Sequence, residues 1–256
     1  TLCNPTIKWG IFLKKVLELG TEKFATGHYV KMVSENGKYA IWQATDKSRD
    51  QSYMLWRLNQ KQLATTLFPL ADYSKDKIRK MEREEKLPVH DKNDSQEVCF
   101  IKGKYEEFLK GKIAFAEGDI VLQNGEIIGR HKGLPFYTVG QRKGLNTPWI
   151  SPLYVLRLDV KNNRVIVTDK PDDLLENHFE IDEVNWISRE FPTKFENLSV
   201  QIRYNSRPVP VEKLTLVEKR IKVFLKKPVR AVTSGQSAVF YENEKLLGGG
   251  IIREIL

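Results

Sequence analysis

Phe24-Ala25-Thr26-Gly27-His28-Tyr29 is a short apolar run that closes on a glycine, a histidine and a tyrosine. It reads as a strand ending in Gly27-His28-Tyr29, and in open α/β sheets the carboxyl end of a strand is where ligands sit. Upstream, Trp9, Phe12, Leu13, Val16 and Leu17 recur at helical spacing and Gly20 stands where a C-cap belongs, so a helix leads into the strand. Downstream, residues 29–33 and 39–44 flank Ser34-Glu35-Asn36-Gly37-Lys38, a hairpin signal built on Asn-Gly. Ser74 opens a second helix over residues 75–85, ended by Leu87-Pro88. This half of the chain is α/β.

After a helical stretch at 105–110 the pattern changes to short runs broken by turns: 119–122, Asn124-Gly125, 126–128, 154–159, Asn162-Asn163 and 165–168. These predict a small β-rich module. Beyond it, residues 200–204, 211–217, 222–225, 237–241 and 250–253 read as strands only, which fits a compact antiparallel barrel or sandwich. Gly248-Gly249-Gly250 reads as a turn, because no helical pattern follows it. The division expected is 1–108, 109–170 and 171–256, in keeping with a length above that of one usual domain.

The charge is +9, with 19 Lys/Arg against 15 Asp/Glu over residues 1–108 and 23 against 18 over the remainder. Such an excess, spread along the chain, suits a polyanionic partner. Its densest part runs from Lys219 to Lys227, where Ile221, Val223 and Leu225 alternate with Lys222, Phe224 and Lys226. That is one strand with a cationic outer face, or an edge strand guarded by lysines. No apolar run approaches the roughly 20 residues that span a bilayer. The start, TLCNPTIKWG, has neither an initiator Met nor a targeting presequence and reads as the middle of a longer chain.

Only Cys3 and Cys99 are present, too few for a metal cluster or a disulfide scaffold, which leaves packing or paired redox chemistry. Asp91, Asp94 and Glu97 precede Cys99 and would raise its thiol pKa. His28 suits either a ligand contact or a structural place, while His90, His131 and His178 show no metal-ligand spacing. Thr138-Val139-Gly140-Gln141-Arg142-Lys143-Gly144-Leu145 combines glycines with two adjacent cations, a phosphate-approaching loop or a solvated turn. Gln236, in Ser234-Gly235-Gln236-Ser237, offers an amide that can pair with a base edge or cap a turn.

Together these segments resemble the bacterial-type tRNA-specific 2-thiouridylases. The matching stretches, in order, are Leu2-Cys3-Asn4 with Ile7-Lys8, Ala25-Thr26-Gly27-His28-Tyr29, Asp50-Gln51-Ser52-Tyr53 and Asp94-Ser95-Gln96-Glu97-Val98-Cys99-Phe100-Ile101. They continue with Thr138 to Leu145, Ile202-Arg203-Tyr204, Ala231 to Tyr241 and Leu247-Gly248-Gly249-Gly250-Ile251-Ile252. The resemblance implies the C-terminal part of a Rossmann-like PP-loop ATP pyrophosphatase domain, then a central tRNA-binding domain, then an antiparallel β-barrel. It implies ATP-dependent 2-thiouridine formation at wobble U34, with Mg-ATP adenylating the base and a cysteine persulfide supplying sulfur. By position, Cys99 would bear the persulfide and Cys3 would resolve it through a transient disulfide. Gly27 would contact ATP, and His28, Arg49, Asp50, Gln51, Arg203, Tyr204 and Gln236 would meet tRNA, Arg49 standing where Lys is common. Implied partners are tRNAs for Lys, Glu and Gln and a cysteine desulfurase or sulfur-relay donor, in the cytoplasm.

Two departures stand out. No Ser-Gly-Gly-x-Asp-Ser segment occurs in these 256 residues, and the family's acidic residue three positions before the first cysteine would precede Thr1. The 256 residues alone are therefore expected to be inactive toward ATP, and Cys3, near a chain end, to be disordered. A tRNA-binding module without catalysis is the alternative. A different PP-loop relative, such as an argininosuccinate-synthase-like ligase, is opposed by the second half and by both cysteines.

Overall fold

A computed structural model describes residues 3–88, 105–109, 112–188 and 190–254. Contacts gather these into two compact units, which do not follow the order of the chain: residues 1–90, 177–227 and 234–256 form the first, and 91–176 with 228–233 the second.

The first unit starts with a helix. Residues Asn4–Phe12 are wound with hydrogen bonds spanning five residues and continue into α1 (Leu13–Glu18). Strand β1 (Phe24–Ala25) runs parallel to β4 (Thr66–Leu67), pairing Phe24 with Thr66. Strands β2 (Val30–Glu35) and β3 (Lys38–Gln43) form the expected hairpin. Asn36 and Gly37 both take positive φ, 50° and 75°, as a primed two-residue turn requires. Two further helices follow: α2 (Gln60–Ala64), closed by a capping box between Asn59 and Gln62, and α3 (Lys75–Glu84), whose N-cap is Ser74.

The hairpin does not stay with the N-terminal elements. Strands β9 (Leu175–Trp186), β10 (Leu198–Gln201), β11 (Val209–Val217), β12 (Arg220–Arg230), β13 (Ser237–Glu242) and β14 (Lys245–Glu254) follow the order β13-β10-β11-β12-β9-β14 and close through β13–β14 pairing. This six-stranded antiparallel barrel takes on β3 at the start of β14, where Leu246 pairs with Ile41. One core results, containing Trp9, Ile41, Trp56, Leu58, Leu63, Val239, Tyr241 and Leu246. In β12 the inward Ile221, Val223 and Leu225 are buried, as alternation predicts.

The reading of Gly248-Gly249-Gly250 as a turn is corrected, since all three lie inside β14. A Cβ on Gly248 would come 2.1 Å from the Asn185 carbonyl. One on Gly249 would meet the Ala238 carbonyl at 2.7 Å and the Trp56 ring at 2.9 Å. The glycines let β14 pass between β9 and β13 beneath a fully buried tryptophan. Strand β9, absent from the sequence reading, is also corrected.

In the second unit, β5 (Gly118–Leu122), β6 (Ile127–His131), β7 (Tyr154–Asp159) and β8 (Arg164–Thr168) follow the order β6-β5-β8-β7, with β5 and β8 parallel. The short helix α4 (Tyr105–Leu109) precedes them in sequence. Ile120, Leu145, Leu153, Val155, Val165 and Val167 fill the core. His131 is buried and structural: Gly133 N–H donates to its Nδ1 at 3.0 Å, so the proton is on Nε2, which donates to the Asn163 carbonyl. Gln141 bonds within its own loop, accepting from Thr138 N–H and donating to the Lys143 carbonyl.

Candidate RNA-binding and sulfur-transfer site

Cys3 stands at the amino end of the first helix, half-buried and free, so the disorder expected for it is not what the structure describes. The helix is pinned by a buried bond from Trp9 Nε1 to Thr66 Oγ1 (2.8 Å) and by Gln62, whose amide donates to the Trp9 carbonyl. Beside Cys3, the buried Asn4 donates its side-chain amide to the Met54 carbonyl at 3.1 Å. Cys99 lies outside the described residues.

Gly27 and His28 follow β1. Gly27 is exposed, and a Cβ there would meet only Leu70, at 3.7 Å. His28 is 7% exposed and packs between Trp9 and Phe68. Its Nε2 lies 3.4 Å from Lys8 Nζ and its Nδ1 2.6 Å from Thr26 Oγ1. An ammonium only donates, so Nε2 accepts and Nδ1 carries the proton, which goes to Thr26. Burial, helped by the Lys8 charge, holds the imidazole pKa down at about 4.

The turn Arg49-Asp50-Gln51-Ser52 joins this strand end to the barrel. Gln51 accepts from Tyr29 N–H through its side chain and donates its own N–H to the Tyr29 carbonyl. Asp50 Oδ1 accepts from the buried Ala44 N–H (2.8 Å), and Oδ2 accepts from Ser52 Oγ (2.6 Å). With its proton committed to Asp50, Ser52 Oγ accepts from Tyr241 OH at 3.1 Å. Burial raises the Asp50 pKa above the usual carboxylate range, against these hydrogen bonds, which lower it. Arg49 closes a short helical turn capped by Asp46, whose Oδ1 accepts from Ser48.

From the barrel side, Tyr204 donates its hydroxyl to the Asp50 carbonyl at 3.2 Å, and its ring lies 5.9 Å from that of Tyr53. Tyr53, its pKa pushed up to about 12 by burial, keeps its proton and donates to the Ser237 carbonyl. A recess of about 430 Å³ opens here, lined by Tyr53, Met54, Arg203, Tyr204, Gly235 and Gln236. The structure therefore gathers Arg203, Tyr204 and Gln236, links Asp50 to Tyr204, and holds Gln51 against the backbone next to His28. Tyr53, Met54 and Tyr241 were not singled out by the sequence reading. Buried tyrosines need hydroxyl partners, but those partners lie far away along the chain.

Three family models match in succession: the tRNA methyl transferase HUP domain over residues 1–103, the tRNA methyl transferase PRC-barrel domain over 106–169 and the aminomethyltransferase beta-barrel domain over 176–252. The tRNA-specific 2-thiouridylase MnmA of Nostoc punctiforme is 40% identical over 257 residues, covering 98% of this chain and 73% of the relative. Those of Natranaerobius thermophilus and Clostridium acetobutylicum are 41% and 39% identical, each across 98% of this chain and across 69% and 71% of their own lengths. The order of the three matched domains agrees with the fold, the similarity to these enzymes runs through nearly the whole of this chain, and the chain belongs to the tRNA-specific 2-thiouridylase family.

Proposed function

We propose that this chain is the sulfur-handling and tRNA-gripping part of an ATP-dependent tRNA uridine 2-sulfurtransferase that forms 2-thiouridine at wobble U34. The observation that carries the reading is the recess bearing Arg203, Tyr204 and Gln236, whose Met54 wall is tied through its carbonyl to Asn4, the residue after Cys3. One wall of a recess with cationic and stacking groups is thus hydrogen-bonded to the residue beside one of the two thiols. Gln236 makes no side-chain hydrogen bond among the described residues and is available to a base edge.

Cys99 carries the persulfide in this reading. Its terminal sulfur forms a bond to C2 of the activated uridine, and the C2–O bond breaks to release AMP. Cys3 attacks the inner Cys99 sulfur, breaking the S–S bond so that its electron pair stays with the transferred sulfur, and a Cys3–Cys99 disulfide is left for external thiols to reduce. A desulfurase or relay protein reloads Cys99. His28, neutral at physiological pH, orders the strand end and accepts from Lys8, and the 49–52 turn holds Tyr204 in place. ATP with Mg would activate the base oxygen. Exposed Gly27 offers a backbone edge to a nucleotide, and adenylation is assigned to a PP-loop, whose Ser-Gly-Gly-x-Asp-Ser segment does not occur in these 256 residues. The tRNAs for Lys, Glu and Gln are the expected substrates.

The test is 2-thiouridine formation by the protein carrying its PP-loop. Cys99→Ser is expected to abolish thiolation, since a hydroxyl carries no persulfide. Cys3→Ser is expected to stop turnover while Cys99 still accepts sulfur, as read by mass spectrometry. Substantial thiolation by the Cys99→Ser protein would sink the assignment.

A further inference from the structure

We propose that a second recess, which shares Tyr204 with the recess of Arg203 and Gln236, is an RNA subsite that holds a backbone phosphate through Arg207 and Lys47. This rests on the tRNA reading above and adds residues that the resemblance does not supply. The second recess, of about 670 Å³, shares Tyr204 and Asn205 with the first. Tyr204 therefore borders both. Its ring is 36% exposed and is fixed at one end by the hydroxyl bond to the Asp50 carbonyl and along its side by Tyr53. An immobilised, partly exposed aromatic is a stacking platform for an unpaired base, and a strand stacked on it places neighbouring nucleotides on either side.

What the second recess can recognise follows by accounting for its donors. Gln201 spends its amide on the Tyr204 carbonyl at 2.6 Å. Ser206 donates to the Arg203 carbonyl, and Ser48 to Asp46. The one carboxylate in the lining, Asp50, has both oxygens engaged. Gln43 and Asn205 also line the recess, with side-chain amides that make no hydrogen bond among the described residues, and beside them stand two cations. Arg207 is exposed and precedes Pro208, which restricts its backbone to extended conformations. Lys47 is paired with Glu244, at 2.8 Å, both side chains being about half exposed, and such a pair yields cheaply to a stronger anion. Two cations in one recess suit a phosphate, a contact that positions RNA and carries no sequence information.

Fluorescence-anisotropy titrations with tRNA at several salt concentrations test this, using the 256-residue chain and its Arg207→Ala, Lys47→Ala, Glu244→Gln, Gln236→Ala and Arg203→Ala variants, each checked for folding by circular dichroism. Arg207→Ala and Lys47→Ala are each expected to weaken binding several-fold and to flatten the log K against log [salt] slope by about 1, by the same factor on stem-loops of altered loop sequence. Glu244→Gln is expected to tighten binding by releasing Lys47, and Gln236→Ala to alter loop-sequence preference. Unchanged affinity and slope in both Arg207→Ala and Lys47→Ala, with Arg203→Ala still weakened, would overturn the subsite and leave the tRNA reading standing. No binding by the folded wild-type chain at any salt would overturn both.

Discussion

His28 titrates far from its ordinary range, and that displacement is measurable as stability. Buried between Trp9 and Phe68, with Lys8 at Nε2, the ring has a folded pKa of about 4 against 6.5 for an unperturbed imidazole. Between those values the unfolded chain binds a proton that the folded chain refuses. Stability is thus complete above pH 6.5 and lost as pH falls toward 4. Integrating the linkage between pH 7 and pH 5 gives a loss of about 2 kcal/mol from this residue alone. His28→Gln keeps an amide able to bond to Thr26 but cannot titrate. Urea denaturation of both proteins at the two pH values, followed by tryptophan fluorescence, should show the wild type losing about 2 kcal/mol more than the variant. Carboxylates titrate alike in both and cancel. Lys8→Met should shrink the difference, because the lysine charge is the second cause of the displacement. Equal losses in wild type and His28→Gln, or an NMR titration of the His28 ring centred near pH 6.5, would refute the burial argument and with it the assignment of the proton to Nδ1.

Gly249→Val drives a Cβ against the Ala238 carbonyl and the Trp56 ring and should destabilise by roughly 1–3 kcal/mol or more. Gly27→Ala, facing only Leu70 at 3.7 Å, should stay within about 0.5 kcal/mol of wild type; equal effects at the two glycines in thermal denaturation would contradict the packing of β14. Asp50→Ala strips the acceptor from buried Ala44 N–H and from Ser52 Oγ, costing roughly 1–3 kcal/mol, and loosens the turn that holds Tyr204. Stability and tRNA affinity should therefore fall together, whereas exposed Arg207→Ala should lower affinity alone.

Local signals survived into the fold wherever their cause was local. Asn36-Gly37 made its turn because both positions need positive φ, Ser74 capped its helix, and residues 154–159 became β7 with the boundaries read from alternation. The failures share a different physical origin. Strand β9 is polar over much of its length and carries Glu183 at φ 46°, and bulges in its pairing with β14 disturb the period-two pattern. The glycines of β14 looked like a turn because the feature that demands them, the Trp56 ring, lies nearly two hundred positions earlier. Nor does any local pattern tell a hairpin at residues 30–43 to join a strand that begins at Lys245.

The same distinction separates the site residues. Motif matching treats Asp50, Gln51 and His28 like Arg203, Tyr204 and Gln236, since all six sit in segments shared with the family. Hydrogen bonding divides them. Asp50 gives both carboxylate oxygens and its carbonyl to the protein, Gln51 bonds to Tyr29, and His28 is enclosed between aromatic rings with both nitrogens engaged. A group so occupied touches RNA only by giving up a protein partner, at a cost comparable to the bond it would form. Arg203, Tyr204 and Gln236 line a recess, Tyr204 while donating its hydroxyl to the Asp50 carbonyl and Gln236 with no side-chain hydrogen bond among the described residues. In the proposed function the first three position and the last three touch, and the carbonyl of Asp50 holds the Tyr204 ring that borders both recesses. The 49–52 turn thereby ties the strand end after β1 to the barrel, through Gln51 to Tyr29 on one side and through Ser52 to Tyr241 and Asp50 to Tyr204 on the other, so that a change at Asp50 is felt at Tyr204 without touching a recess residue directly.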